Sequence, residues 1–189
     1  MSHLGFARRA LLEMLPKEAV GAEVGVFKGD FSAELLQRTN PERLYLIDPW
    51  ISVDDELHRT SLYGAATRSQ ADMDKIYAEV VSRFAEQITA GHVVMHRAPS
   101  AAVLTAMPDQ SLDWIYIDGD HSYQSVISDL RLSFTKVRPG GFICGDDYMV
   151  GGWWTDGVVR AVHDFLHEAQ SQVRIEFLID AQFMLLVVG

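Results

Sequence analysis

The chain has one cysteine in 189 residues, Cys144, set in the apolar stretch FICG. A single thiol excludes an intramolecular disulfide, and its apolar neighbours make it a packed core residue rather than a nucleophile. There is no apolar run long enough to cross a bilayer, no long block of one charge and no low-complexity tract, which excludes a membrane partner and a disordered tail. Basic residues are few: 16 Lys and Arg against 26 Asp and Glu, for a net charge of −10. Nucleic acid is therefore not the expected partner, because holding a phosphate backbone needs a basic face. The N-terminal stretch MSHLGFARRALLEML has no small-residue cleavage site and carries Glu13 in its apolar part. It reads as an amphipathic helix rather than a signal peptide, which makes the cytoplasm the expected location.

What remains is an ordinary soluble composition, 48% hydrophobic and 22% charged. A chain of this length folds as one domain, spanning 1–189, that buries about 70% of its unfolded surface. Helix and strand patterns alternate along it, without a Pro/Gly/Ser linker or an internal repeat, so the expected class is α/β. A helix is expected over 6–15 within an N-terminal segment 1–18, then a strand over 20–26, a glycine turn, a helix over 31–37 and a strand over 44–47. Residues 49–90 form a covering or lid segment, ending in a helix over 71–89 whose Ile76, Val80, Phe84 and Ile88 recur every four residues. A strand over 92–96, a short helix from Ser100, strands over 114–117 and 142–144 and a helix over 157–169 follow. The chain closes on strands 173–179 and 182–188, joined by Asp180-Ala181. That spacing reads as a hairpin, so the final strand should run antiparallel to its neighbour.

The densest chemistry lies in DWIYIDGDHSYQSVISDLRLSFTKVRPGGFICGDDY, residues 113–148. Two short apolar runs flank a helical segment, a crossover that makes the strands parallel and adjacent. Asp118 ends the first run, and Asp146 and Asp147 end the second. In an open parallel sheet, ligands bind beyond the carboxyl ends of the strands, where these three acids fall. Hard oxygen donors with His121 three residues after the first suggest a divalent-metal site beside a general base. Aspartates also favour turns and helix caps, and a loop histidine can simply be solvated, so bland readings stand beside the chemical one.

The first turn runs Glu23-Val24-Gly25-Val26-Phe27-Lys28-Gly29, a G-x-x-x-G spacing rather than the G-x-G-x-x-G that brings a pyrophosphate against backbone amides. An acid before the first glycine suits a cationic amino group, and Asp48, twenty-five residues beyond Glu23, suits a ribose with free hydroxyls. Both features suit S-adenosylmethionine. The stretches AEVGVFKGDFSAELL, LYLIDPW, IDGDHSY and RPGGFICGDDY together resemble class I S-adenosylmethionine-dependent methyltransferases. More narrowly, they resemble the metal-dependent sugar O-methyltransferases of macrolide biosynthesis. The resemblance runs from Glu23 to the terminal hairpin. It implies a Rossmann-like, doubly wound seven-stranded sheet, mostly parallel with an antiparallel last strand and helices on both faces. It also implies that Asp118, Asp146 and Asp147 match three magnesium positions and that His121 matches the catalytic base. The chain is shorter than such enzymes, which carry added N-terminal or lid elements, so the acceptor does not transfer.

Methyl transfer from a sulfonium is an in-line displacement that needs an aligned acceptor oxygen and a destination for the hydroxyl proton. Mg2+ on carboxylates orients the acceptor and lowers its pKa, and a neutral imidazole takes the proton. The expected cofactor contacts are Glu23, Gly25, Gly29, Asp48, Ser100 and Asp118, with Arg97 and Ala98 near the adenine. Trp50, Tyr63, Trp153 and Trp154 lie on segments leaving strand ends, where aromatics stack on sugar or aryl rings or pack in the core. His163 and His167 are spaced as a zinc pair but lack a third ligand, so a solvated helix face is expected. The expected activity is Mg2+-dependent O-methylation of a small hydroxylated molecule, a sugar or glycosylated natural product. A catechol-type aryl diol is the alternative acceptor, and a nucleotide-cofactor oxidoreductase or a non-catalytic binding module are the alternative functions. The size leaves room for a homodimer.

Overall fold

A computed structural model of the chain describes residues 5–188. The elements run α1 (Phe6–Met14), β1 (Val20–Val24), α2 (Asp30–Thr39), β2 (Arg43–Ile47), α3 (Gln70–Arg83), α4 (Ala85–Thr89), β3 (Val93–His96) and α5 (Ser100–Ala106). They continue with β4 (Leu112–Ile117), α6 (Tyr123–Lys136), β5 (Val137–Gly145), α7 (Gly157–Ala169), β6 (Val173–Ile179) and β7 (Gln182–Val187). The seven strands form one sheet in the order β3-β2-β1-β4-β5-β7-β6. All pairings from β3 to β5 are parallel, and β7 is antiparallel to both β5 and β6. This is the expected Rossmann-like sheet, with the terminal hairpin supplying the antiparallel strand.

Strand composition explains why both faces are covered. In β4 the alternation sends Ile115 and Ile117 into one core and Trp114 and Tyr116 into the other. β2 does the same, with Ile47 on the first face and Leu44 and Leu46 on the second. Strands apolar on both sides must be buried on both sides. Residues of α5, α6 and α7 fill the first layer, and residues of α1, α2 and α3 fill the second. Cys144 is fully buried in the second, and burial pushes its thiol pKa up, as suits a core residue.

The covering helix departs from the sequence expectation. It is not continuous over 71–89 but breaks at Phe84 (φ −106°, ψ 18°) between α3 and α4. The ring of Phe84 is buried, and a β-carbon on Gly29 would come within 2.8 Å of it. Packing under the first glycine turn takes precedence over helical continuity. At its other end α3 starts with a capping box made by Ser69 and Asp72. No described helix is long and apolar enough to cross a membrane.

Candidate functional site

Register builds the site. Val24 is paired with both Ile47 and Ile117, and Ile117 with Gly145, so the ends of β2, β1, β4 and β5 are level. The next residue of each strand, Asp48, Gly25, Asp118 and Asp146, therefore stands in one row. They line a cavity of about 650 Å3 together with Glu23, Ser100, Asp120, His121, Asp129, Asp147 and Trp153. Gly25 has φ +90°, and a β-carbon there would fall 1.9 Å from the backbone oxygen of Asp118. The turn after β1 thus lies directly against the turn after β4, which only glycine permits.

On the β1 and β2 side the acids are satisfied by neutral donors. Glu23 is buried and accepts a hydrogen bond from the Ser32 hydroxyl of α2. Burial, which the Ser32 bond only partly offsets, pushes its carboxyl up to about 8. Asp48 accepts from the backbone N–H groups of Val26 (3.0 Å), Phe27 (2.9 Å) and Trp50 (2.7 Å), and from the Tyr63 hydroxyl. Its pKa is raised by burial despite those bonds. Both oxygens of Asp48 already have donors, so it braces the turn around Gly25 as well as lining the cavity. Trp50 is wholly buried with its indole N–H on the Phe27 carbonyl, which makes it core rather than a closing aromatic.

On the β4 and β5 side the acids meet cations. Asp118 and His121 lie 3.6 Å apart through Nε2, and His121 Nδ1 lies 2.9 Å from Asp147. Burial disfavours a charge on His121, but the two carboxylates override it and raise its pKa to about 9. Nδ1 is buried, with the Asp147 carboxylate as its ion-pair partner. Asp147 itself has φ 57°, a conformation that aspartate tolerates better than most residues. Among the described residues, Asp118, His121 and Asp147 are the His, Cys, Asp and Glu side chains that can converge on one ion. Their ligand atoms lie within 4.8 Å of one another. The two carboxylates offer hard oxygens suited to a divalent cation, with the imidazole beside them.

Asp146 is not in that group. One of its oxygens is bound by Arg8 of α1, and the other accepts from the Gln182 side-chain amide and from the backbone N–H of Asp147 (2.8 Å). Arg8, a cation from a distant helix, thus meets Asp146 and also Asp118 (2.8 Å). Arg8 sits three, four and seven residues before the buried Leu11, Leu12 and Leu15, on the apolar stripe of its helix. A charge on a buried stripe needs a partner, and that was the available signal for Arg8.

The remaining expectations separate. Ser100 lines the cavity and donates to Asp129 (2.6 Å), whose carboxyl burial pushes up to about 6. Arg97 instead reaches Asp74 and stacks over Tyr77 at 4.8 Å, while Ala98 packs on the core. His163 is bonded to the Tyr148 hydroxyl (2.6 Å) and exposed, and His167 is exposed as well. Trp153 stands between two histidine rings, 4.8 Å from His58 and 5.9 Å from His121, with the latter nearly parallel at 19°. His58 was not singled out in the sequence. It comes from the covering segment and reaches Asp120 at 3.2 Å across the cavity.

A methyltransferase domain family matches residues 22–148, from β1 to the acids after β5. The chain belongs to that family. Among solved structures, the methyltransferase domain is similar to the O-methyltransferase TomG of Streptomyces achromogenes, involved in tomaymycin synthesis and solved with SAM. The TM-score is 0.67 at 18% identity, over 98% of this chain and 82% of that one. It is also similar to precorrin-6y C5,15-methyltransferase of Geobacter metallireducens (TM-score 0.60, 12% identity, 96% and 86% covered). A third similar structure is the precorrin 8w decarboxylase of Methanobacterium thermoautotrophicum (0.60, 16%, 100% and 92%). Identities this low speak for the fold alone, and the fold carries several chemistries. The uncharacterized protein R132 of Acanthamoeba polyphaga mimivirus is 38% identical over 69 residues. That match spans 36% of this chain and 30% of the viral protein.

Proposed function

We propose that this methyltransferase domain transfers the methyl group of S-adenosylmethionine to a hydroxyl of a small hydroxylated acceptor, a sugar or glycosylated natural product, with a divalent cation in the site. The observation that carries this reading is the convergence of Asp118, His121 and Asp147 in the same cavity as Glu23 and Gly25. In it, Glu23, Gly25 and Ser100 hold the cofactor beside the level strand ends, and Gly29, outside the cavity lining, shapes the turn that leads into α2. Asp118 and Asp147 hold the cation, and His121 takes the acceptor's proton. When bound, the cation supplies Lewis acidity that orients neighbouring hydroxyls and lowers their pKa. The carboxylates that raise the pKa of His121 are those that would hold a cation, and a cation there would weaken their pull on the imidazole proton and favour the neutral base.

A catechol-type aryl diol is the second acceptor class, favoured by Trp153, whose indole presents a flat wall nearly parallel to the His121 ring. Thermal unfolding with S-adenosylhomocysteine, with NAD and with neither, each in Mg2+ and in EDTA, tests the proposal. Ligand at a hundred times its dissociation constant adds about 2.7 kcal/mol, a rise of roughly 5–10 °C for a domain of this size. S-Adenosylhomocysteine should raise the midpoint, and Mg2+ should raise it further. A shift with NAD alone would replace the transferase reading with an oxidoreductase, and no shift with either would favour a non-catalytic module. Product formation from sugar and catechol panels then separates the acceptor classes.

A further inference from the structure

Asp129 is a buried acid of α6 that faces the cavity and has no part in the chemistry above. It is 3% exposed, yet it lines the cavity, as does Ser125 one turn before it on the same helix face. The Ser100 hydroxyl at the start of α5 donates to one of its oxygens (2.6 Å), and among the described residues the other oxygen receives no hydrogen bond. Burial, with the charge of Asp120 added and the Ser100 bond opposing, raises its carboxyl to about 6. At neutral pH it is therefore mainly an acceptor. A carboxylate has room for about four donors, and a buried one with a single donor is costly unless a ligand supplies another. Ser100 follows β3, which lies two strands from β1 on the side away from β4 and β5. A cofactor with its sulfur near His121 and its ribose by Asp48 therefore carries its base toward Ser100 and Asp129.

We propose that Asp129, oriented by Ser100, selects the base of the cofactor: its open carboxylate oxygen accepts the exocyclic amino group of adenine. The inference rests on the reading that Ser100 contacts the cofactor. The amino group is the donor this oxygen lacks, and a base without it leaves the buried carboxylate short of a partner. A site built to bond an N–H group rejects the analogue lacking it more strongly than apolar contact alone can. Asp120, the neighbouring acid, is not free for this role. Its oxygens are already engaged by the Ser122 backbone N–H (2.8 Å), the Ser125 hydroxyl (2.9 Å) and His58 (3.2 Å).

Calorimetric titration of the full chain tests this without relying on turnover, using S-adenosylhomocysteine and its analogue with hydrogen in place of the adenine amino group. The native chain should prefer S-adenosylhomocysteine by about tenfold or more. In Asp129→Asn the Ser100 hydroxyl holds the amide oxygen and leaves the N–H₂ facing the base, donor against donor. That variant should lose about tenfold in affinity for S-adenosylhomocysteine and keep its affinity for the analogue, so the preference vanishes. If Asp129 only ties α5 to α6, both affinities fall together and the preference survives, which overturns the proposal. Equal native affinities for the two ligands overturn it with no variant at all. Should Asp129→Asn fail to fold by circular dichroism, Ser100→Ala decides: the preference should shrink by about threefold or more, and an unchanged preference overturns the proposal. Native binding of neither ligand would remove the reading of Ser100 as a cofactor contact, and the role of Asp129 with it. Binding of both without preference removes Asp129 alone.

Discussion

The acids at the ends of β1 and β2 and those at the ends of β4 and β5 occupy equivalent places in the sheet, yet they are stabilised in opposite ways. Glu23 and Asp48 are buried and bound by neutral donors: a serine, a tyrosine and three backbone N–H groups. Asp118, Asp146 and Asp147 are half-buried and meet Arg8 and His121. In the first pair desolvation is the dominant force, so the proton is favoured and the carboxyls act as braces and hydrogen-bonding groups. In the second set opposing charge is supplied by Arg8 and His121, and a site balanced by cations can exchange one cation for another. Topological position marks where an acid can act, and its local charge balance determines how.

The most disruptive test strikes the contact between the two halves. Gly25→Ala forces a β-carbon against the Asp118 backbone at a positive φ, so it should lower stability by about 3 kcal/mol or more and abolish the thermal shift with S-adenosylhomocysteine. His121→Ala acts on the cation-balanced half alone. It should reduce kcat by about 10²–10⁴-fold while leaving the S-adenosylhomocysteine shift intact, measured as product formation beside a melting curve. Unchanged turnover would remove His121 from the chemistry.

Asp48→Asn and Asp147→Asn sharpen the contrast between bracing and ion-holding acids. The first sets an amide N–H₂ against N–H and O–H donors and should destabilise the fold by about 1–3 kcal/mol in Mg2+ and EDTA alike. The second should leave the midpoint in EDTA nearly unchanged and erase the Mg2+-dependent increment.

The smallest effect, read below pH 4.5, belongs to Glu23→Gln, because there the carboxyl keeps its proton in the folded and the unfolded chain alike. Its folded value of about 8 lies above the ordinary 4.5, so the native state binds the proton more tightly than the unfolded chain. The resulting stabilisation is complete below pH 4.5 and lost as the pH rises through 8. Melting curves should therefore match closely at low pH except for a constant offset, with Glu23→Gln gaining on the native protein up to pH 9. A gap that stayed constant with pH would show that Glu23 titrates normally.

Much of this was legible in the chain because it depends on local pattern. Period-two alternation and level strand ends put Asp48, Gly25, Asp118 and Asp146 at one edge, and the short Asp180-Ala181 joint makes an antiparallel hairpin. Local pattern failed where a distant side chain intervened. Periodicity over 71–89 was helical throughout, but the buried Phe84 ring ends α3. The placement of Trp50 was equally ambiguous, since a tryptophan after a strand can close a cavity or fill a core, and here the Phe27 carbonyl receives its indole. Arg97 likewise follows β3 but is drawn to Asp74 and Tyr77 on α3.

By itself, then, the sequence determined the α/β alternation, the crossover that makes β4 and β5 neighbours, and the concentration of carboxylates at their ends. These follow from apolar periodicity and turn chemistry, which act over a few residues. Only the tertiary structure decided which side chains meet each acid. That outcome depends on Arg8 and Gln182, brought to Asp146 from opposite ends of the chain by the burial of α1 and the pairing of β7, and such contacts leave no periodic trace in the sequence.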